Sequence, residues 1–141
     1  MSHPPVVLFA CTHNAGRSVA AKVLTAHYAN GRIEVRSAGS KPGREVNPVV
    51  STVLAERGLS TDGEAPTLLD PAAVSAADVV VTMGCGEACP IFPGKRYDDW
   101  DIADPAGQDV TSVRMIVDQI DVRVRSLVAD LLATVLDEAG T

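Results

Sequence analysis

Aromatic residues are scarce in this chain, 4 % of 141 positions, and basic residues are outnumbered, 12 Lys and Arg against 18 Asp and Glu. The formal charge of −6 and the lack of any basic stripe argue against nucleic acid as a partner, because that binding rests on clustered cations. Long apolar runs are missing too: nothing approaches the roughly 20 residues of a membrane span, so no membrane partner is expected. Met1-Ser2-His3-Pro4-Pro5 has no basic start, and Val6–Ala10 is shorter than the apolar region of a signal peptide. Cysteines number three, an odd count that does not suit the disulfide framework of a secreted domain. The expected setting is a reducing cytoplasm, where thiols are catalytic, redox-active or buried.

What remains is an ordinary globular composition, 46 % hydrophobic and 21 % charged, at a length that suits a single domain over residues 1–141. Val6–Ala10 is apolar throughout and Val79–Thr82 is apolar up to its last residue, the mark of strands buried on both faces of a parallel sheet. Ile33–Ser37 alternates as a further strand, and Lys95–Tyr97 predicts a brief fourth one. Between them the spacing predicts a helix over Ser18–Tyr28, with Val19, Ala20, Val23 and Leu24 on one face. Asn47 and Pro48 open another helix that ends near Gly58, and Asp70–Ala76 forms a short one. One apolar stripe from Val113 to Val135 marks a long last helix. This alternation predicts an α/β fold with helices on both faces of a parallel sheet. Ligands of such sheets bind beyond the carboxyl ends of the strands, where Cys11, Ser37 and Cys85 are expected to meet.

Cys11-Thr12-His13-Asn14-Ala15-Gly16-Arg17-Ser18 joins the first strand to the first helix. A thiol, five residues and an arginine at such a junction make a device for gripping a tetrahedral oxyanion and attacking it. The five residues let successive backbone N–H groups curl around one centre. The helix adds its unpaired N–H groups and the positive end of its dipole, and Arg17 adds a planar fork of donors. The same field favours the thiolate form of a cysteine placed there. Taken alone, a cysteine after a strand is most often a small core residue; an arginine so close by sets this one apart.

Cys85 and Cys89 follow the third strand. On a helix rising about 1.5 Å per residue, their α-carbons lie near 6 Å apart, within disulfide range. Gly84 and Gly86 allow that segment to rearrange. The pair also reads as two small residues in a tight loop before Pro90, or as a zinc site with Cys11 and His13, although the usual ligand spacings are missing. Three thiols at one pocket suggest thiol–disulfide relay rather than hydrolysis alone, with no metal and no cofactor expected. Asp104, in Trp100-Asp101-Ile102-Ala103-Asp104-Pro105-Ala106-Gly107, is the candidate acid that protonates a departing oxygen. Pro105 restrains it to extended backbone; by itself, Asp-Pro-x-Gly reads as the start of a turn.

Together these segments resemble the arsenate reductases built on the low-molecular-weight tyrosine phosphatase fold. The resemblance runs through Cys11–Ser18, Ser37-Ala38-Gly39, Val80-Val81-Thr82-Met83, Cys89-Pro90-Ile91-Phe92-Pro93, Trp100 and Asp104-Pro105-Ala106-Gly107. It implies a three-layer sandwich around a four-stranded parallel sheet, in a monomer. It also implies that Cys11 attacks arsenate (phosphate and sulfate being mimics) held by the loop N–H groups and Arg17, with Asp104 as acid, Ser18 bonded to the thiolate and Asn14 shaping the loop. Cys85 then attacks Cys11 and expels arsenite. Cys89 attacks Cys85, leaving a Cys85–Cys89 disulfide for thioredoxin, or for mycothiol with a mycoredoxin. Familiar members place the middle cysteine directly after the strand and separate the pair more widely; here Gly84 intervenes, and only three residues lie between Cys85 and Cys89. Gly16 stands where many relatives have another cysteine. Lys22 stands where potassium-binding relatives have glutamate, which implies no potassium dependence; it reads equally as a solvated helix residue. The rival readings are a tyrosine phosphatase using Cys11, Arg17 and Asp104, and a phosphocarrier holding phosphate on Cys11. Ala106-Gly107 stands where phosphatases carry tyrosines that flank the substrate ring.

Overall fold

Strands β1 (Val6–Cys11), β2 (Glu34–Gly39), β3 (Val79–Met83) and β4 (Arg96–Asp99) form one parallel sheet in the order β2-β1-β3-β4. The computed structural model describes residues 4–84 and 95–140, and only the backbone of residues 134–140. Helices α1 (Arg17–Ala29), α2 (Pro48–Glu56), α3 (Pro71–Ala76) and α4 (Val110–Gly140) cover the sheet.

Alternate residues of β1 feed two cores, as a strand buried on both faces requires. Val7, Phe9 and Cys11 join Val79, Val81 and Met83 against α1, α2 and α4, while Val6 and Leu8 join Val80 beneath Val74 of α3. The predicted apolar stripe of α4 is buried from Val113 to Val128, and Leu131 and Leu132 are half-buried. Asn47 caps α2 through its Oδ1, which accepts from Val49 and Val50 N–H, and Pro48 takes the first helical position, as the sequence predicts.

The differences from the predicted elements fall at their ends. β1 and β2 each run on to pair Cys11 with Gly39, so Gly39 and not Ser37 closes the second strand. Cys11 also pairs with Met83, which extends β3 by one residue. The fourth strand is shifted toward Asp99 because Arg96–Asp99 pair with Val79–Thr82. These extra pairs lie at the carboxyl edge, where a sequence pattern carries no sign of which backbone meets which. The order places the end of β1 between β2 and β3, at the point where chain connections diverge to either side. A parallel sheet offers its ligand crevice there.

Candidate active site

Cys11 ends β1 as a buried thiol, 2 % exposed. Its sulfur lies 3.0 Å from Ser18 Oγ. Asn14 Nδ2 donates to that same hydroxyl at 2.7 Å, which leaves the single proton of Ser18 free to point at sulfur. Asn14 is fully buried and takes a left-handed backbone, φ 48°, a conformation asparagine tolerates better than most residues. Its Oδ1 accepts the N–H of Thr67 at 2.9 Å, so the loop is tied to a distant stretch of chain.

A second segment holds the outside of the loop. The N–H groups of Ser40, Lys41, Gly43 and Asn47 donate to the carbonyls of Cys11, Thr12, His13 and Ala15 at 3.2, 2.8, 2.9 and 2.7 Å. Those bonds occupy the loop carbonyls from outside, as a nest that keeps its N–H groups for an anion requires. Gly16 caps α1 without a side-chain bond, and no acidic residue stands in the first turn, so the helix end is left for a ligand. Gly16 also has a packing reason: a β-carbon there meets Pro105 Cγ at 2.6 Å. Its absence lets the Asp104-Pro105 segment close over the loop.

Arg17 reaches across the opening. Its Nη1 donates to Ile102 O at 3.3 Å, and Nη2 lies 3.7 Å from Asp104 Oδ2. Asp104 Oδ1 accepts from Ala106 N–H at 3.0 Å. One oxygen of Asp104 thus makes the turn, and the other faces the arginine. Cys11, His13, Ala15, Gly16, Arg17, Asn47, Asp104, Pro105 and Ala106 line a cavity of about 40 Å³. A water needs about 10–15 Å³ of such space, so the cavity suits a small tetrahedral ion.

Of the predicted oxyanion-loop residues, Thr12 and His13 turn their side chains to other tasks. Thr12 Oγ1 donates to Gly84 O at 2.5 Å, and His13 Nδ1 donates to Lys41 O at 3.0 Å. Lys22 is half-buried and paired with Glu64 Oε1 at 2.8 Å, not a solvated helix residue. Cys85 and Cys89, with the relay and the zinc alternative that involve them, lie outside the described residues. Sequence reasoning missed the 40–47 segment and Thr67. The sequence marks Asn47 only as a helix cap, and nothing local in Thr67 signals its contact with Asn14.

Fold and site together define a doubly wound α/β protein with a buried thiol and an arginine beside a small cavity at the carboxyl edge of its sheet. Residues 6–137 match the family model of the low molecular weight phosphotyrosine protein phosphatases, and the chain belongs to that family. It is 31 % identical to arsenate reductase 1 of Bacillus cereus over 130 residues, 89 % of this chain and 95 % of that one. A thioredoxin-dependent arsenate reductase of Corynebacterium glutamicum superposes with a TM-score of 0.85 at 44 % identity, over 94 % of this chain. This chain spans 64 % of that protein. An arginine phosphatase from Geobacillus stearothermophilus superposes with a TM-score of 0.83 at 27 % identity, over 95 % of this chain and 97 % of that one.

Proposed function

We propose that this protein reduces arsenate to arsenite. The carrying observation is the Cys11 sulfur, 3.0 Å from a Ser18 hydroxyl that already accepts from Asn14, in a cavity of about 40 Å³ lined also by Arg17 and Asp104. In this reading the Cys11 thiolate attacks arsenic, and the As–O bond to one oxygen breaks. Asp104 supplies the proton with which that oxygen leaves as water. The loop N–H groups, the α1 end and Arg17 stabilise the negative charge on the remaining oxygens.

Arsenic is still pentavalent at that stage. Cys85 thiolate then attacks Cys11 sulfur; the S–As bond breaks with its electron pair on arsenic, and arsenite departs as the two sulfurs become a disulfide. Cys89 displaces Cys11 from Cys85, and an external dithiol of the thioredoxin type, or mycothiol with a mycoredoxin, reduces the resulting pair. A reaction that consumes reduced thiols suits the reducing cytoplasm. Support for reduction over hydrolysis comes from two further thiols in the sequence and from relatives that are named arsenate reductases.

Peptide mass spectrometry after one arsenate turnover tests the proposal. The expected product is Cys85 joined to Cys89, with one arsenite released per chain; arsenate consumed with no bridge anywhere overturns it. A phosphatase is the second reading, favoured by the family match and by a site in which Cys11, Arg17 and Asp104 suffice for hydrolysis. It predicts phosphate release with no change in thiol content.

A further inference from the structure

Arg17 does not hold its position by its own hydrogen bonds alone. Its guanidinium is 3.3 Å from one carbonyl and 3.7 Å from one half-exposed carboxylate, both on the Ile102–Asp104 side. It also lies against Gly84, the residue that follows β3. A β-carbon built at Gly84 comes within 2.6 Å of Nη1, 3.2 Å of Cζ and 3.3 Å of Nη2. Every one of these contacts is with the fork that binds two oxygens. Gly84 is held in its turn by the Thr12 hydroxyl, which donates to its carbonyl at 2.5 Å, and it takes φ +85°. The anion loop therefore contributes both the arginine and the hydroxyl that fixes the surface on which the arginine lies.

We propose that Gly84 is a positioning residue for substrate binding: its bare α-carbon, clasped by Thr12, is the seat that aims the Arg17 fork into the anion cavity. The proposal rests on the oxyanion-binding reading of Arg17 given above. When a side chain is added at residue 84, the part that yields is the flexible tip of Arg17 and not the sheet. The fold survives, and the fork leaves its aim. A bidentate charged contact that loses its geometry weakens anion binding by about ten- to a hundred-fold.

The test measures anion binding without turnover. Iodoacetamide alkylates Cys11, read at its own peptide by mass spectrometry, and graded arsenate or inorganic phosphate protects it. Gly84→Ala and Gly84→Asn both add the β-carbon, and asparagine tolerates the positive φ better. Both are expected to raise the half-protecting concentration at least about ten-fold, each variant being scored against its own unprotected alkylation rate. Thr12→Val, which opens the clasp without filling the seat, is expected to weaken protection by a smaller factor, and Thr12→Ser to restore it. In an Arg17→Ala background, Gly84→Ala is expected to change nothing further, because its effect runs through the fork. Equal protection of wild type and both Gly84 variants overturns the inference, as does full additivity with Arg17→Ala. If neither anion protects wild-type Cys11, the site reading falls as well as the inference.

Discussion

Asn14 carries more of the site than its size suggests. Its amide group bonds Ser18 on one side and Thr67 on the other, and it does so from a left-handed backbone with no exposure to water. Asn14→Ala strands the Thr67 N–H and the Ser18 hydroxyl and leaves alanine in a conformation it disfavours. The expected loss is about 2–4 kcal/mol of stability, from one buried unsatisfied donor and the backbone strain. Thermal unfolding measures it, and the same variant is expected to slow Cys11 alkylation several-fold because the Ser18 proton loses its direction. A change of less than a degree in melting temperature contradicts this account. At this scale the sequence was legible where chemistry is local. Cys11 and Arg17 could be read from spacing and Ser18 from the family resemblance, whereas the partner of Asn14 could not, since Thr67 reaches it only through the fold.

Among the helices, α1 and α4 are joined by a small polar cluster at the edge of the larger core. Tyr28 OH donates to Asp121 Oδ1 at 2.6 Å, and Arg125 Nε donates to the phenolic oxygen at 3.1 Å. Arg125 also pairs with Asp121 at 2.9 Å, and its guanidinium carbon sits 5.2 Å from the Tyr28 ring centre. The hydrogen bond to Asp121, followed by burial, raises the Tyr28 pKa above its ordinary value; Arg125 opposes this in part. A group whose pKa is raised in the folded state contributes stability that is full below its unfolded value, about 10 for tyrosine, and is lost as pH rises through the folded value. Tyr28→Phe is therefore expected to lower stability by about 1–2 kcal/mol at pH 7, the worth of a hydrogen bond to a charged acceptor. The gap between variant and wild type is expected to close above pH 10. Melting curves at pH 7 and pH 11 check this, and a gap that is constant with pH refutes it. The helices themselves were legible because an apolar stripe at 3.6-residue spacing is a local property. This cluster was not, because Tyr28 and Asp121 meet only when two distant helices pack.

For the whole molecule, the problem is to draw an anion into a protein of charge −6 and to let electrons out again. In the proposed reaction the attraction is local, built from backbone N–H groups, one helix end and Arg17. The outward path in the proposed reaction ends at Cys89, so Cys89→Ser is expected to release about one arsenite per chain and then stop. Quantifying arsenite against enzyme concentration tests this; steady multiple turnover in that variant would show that the terminal thiol is not needed. Sequence by itself determined the strand and helix pattern, the parallel sheet, and the thiol–arginine loop at its carboxyl edge, since each is written in side-chain periodicity or in residues a few positions apart. Only the tertiary structure decided that Gly16 yields to Pro105, that Gly84 seats Arg17, that the 40–47 segment binds the loop carbonyls, and that Lys22 meets Glu64. These are distances between stretches brought together by the order β2-β1-β3-β4, and periodicity along a chain specifies faces but not which faces meet.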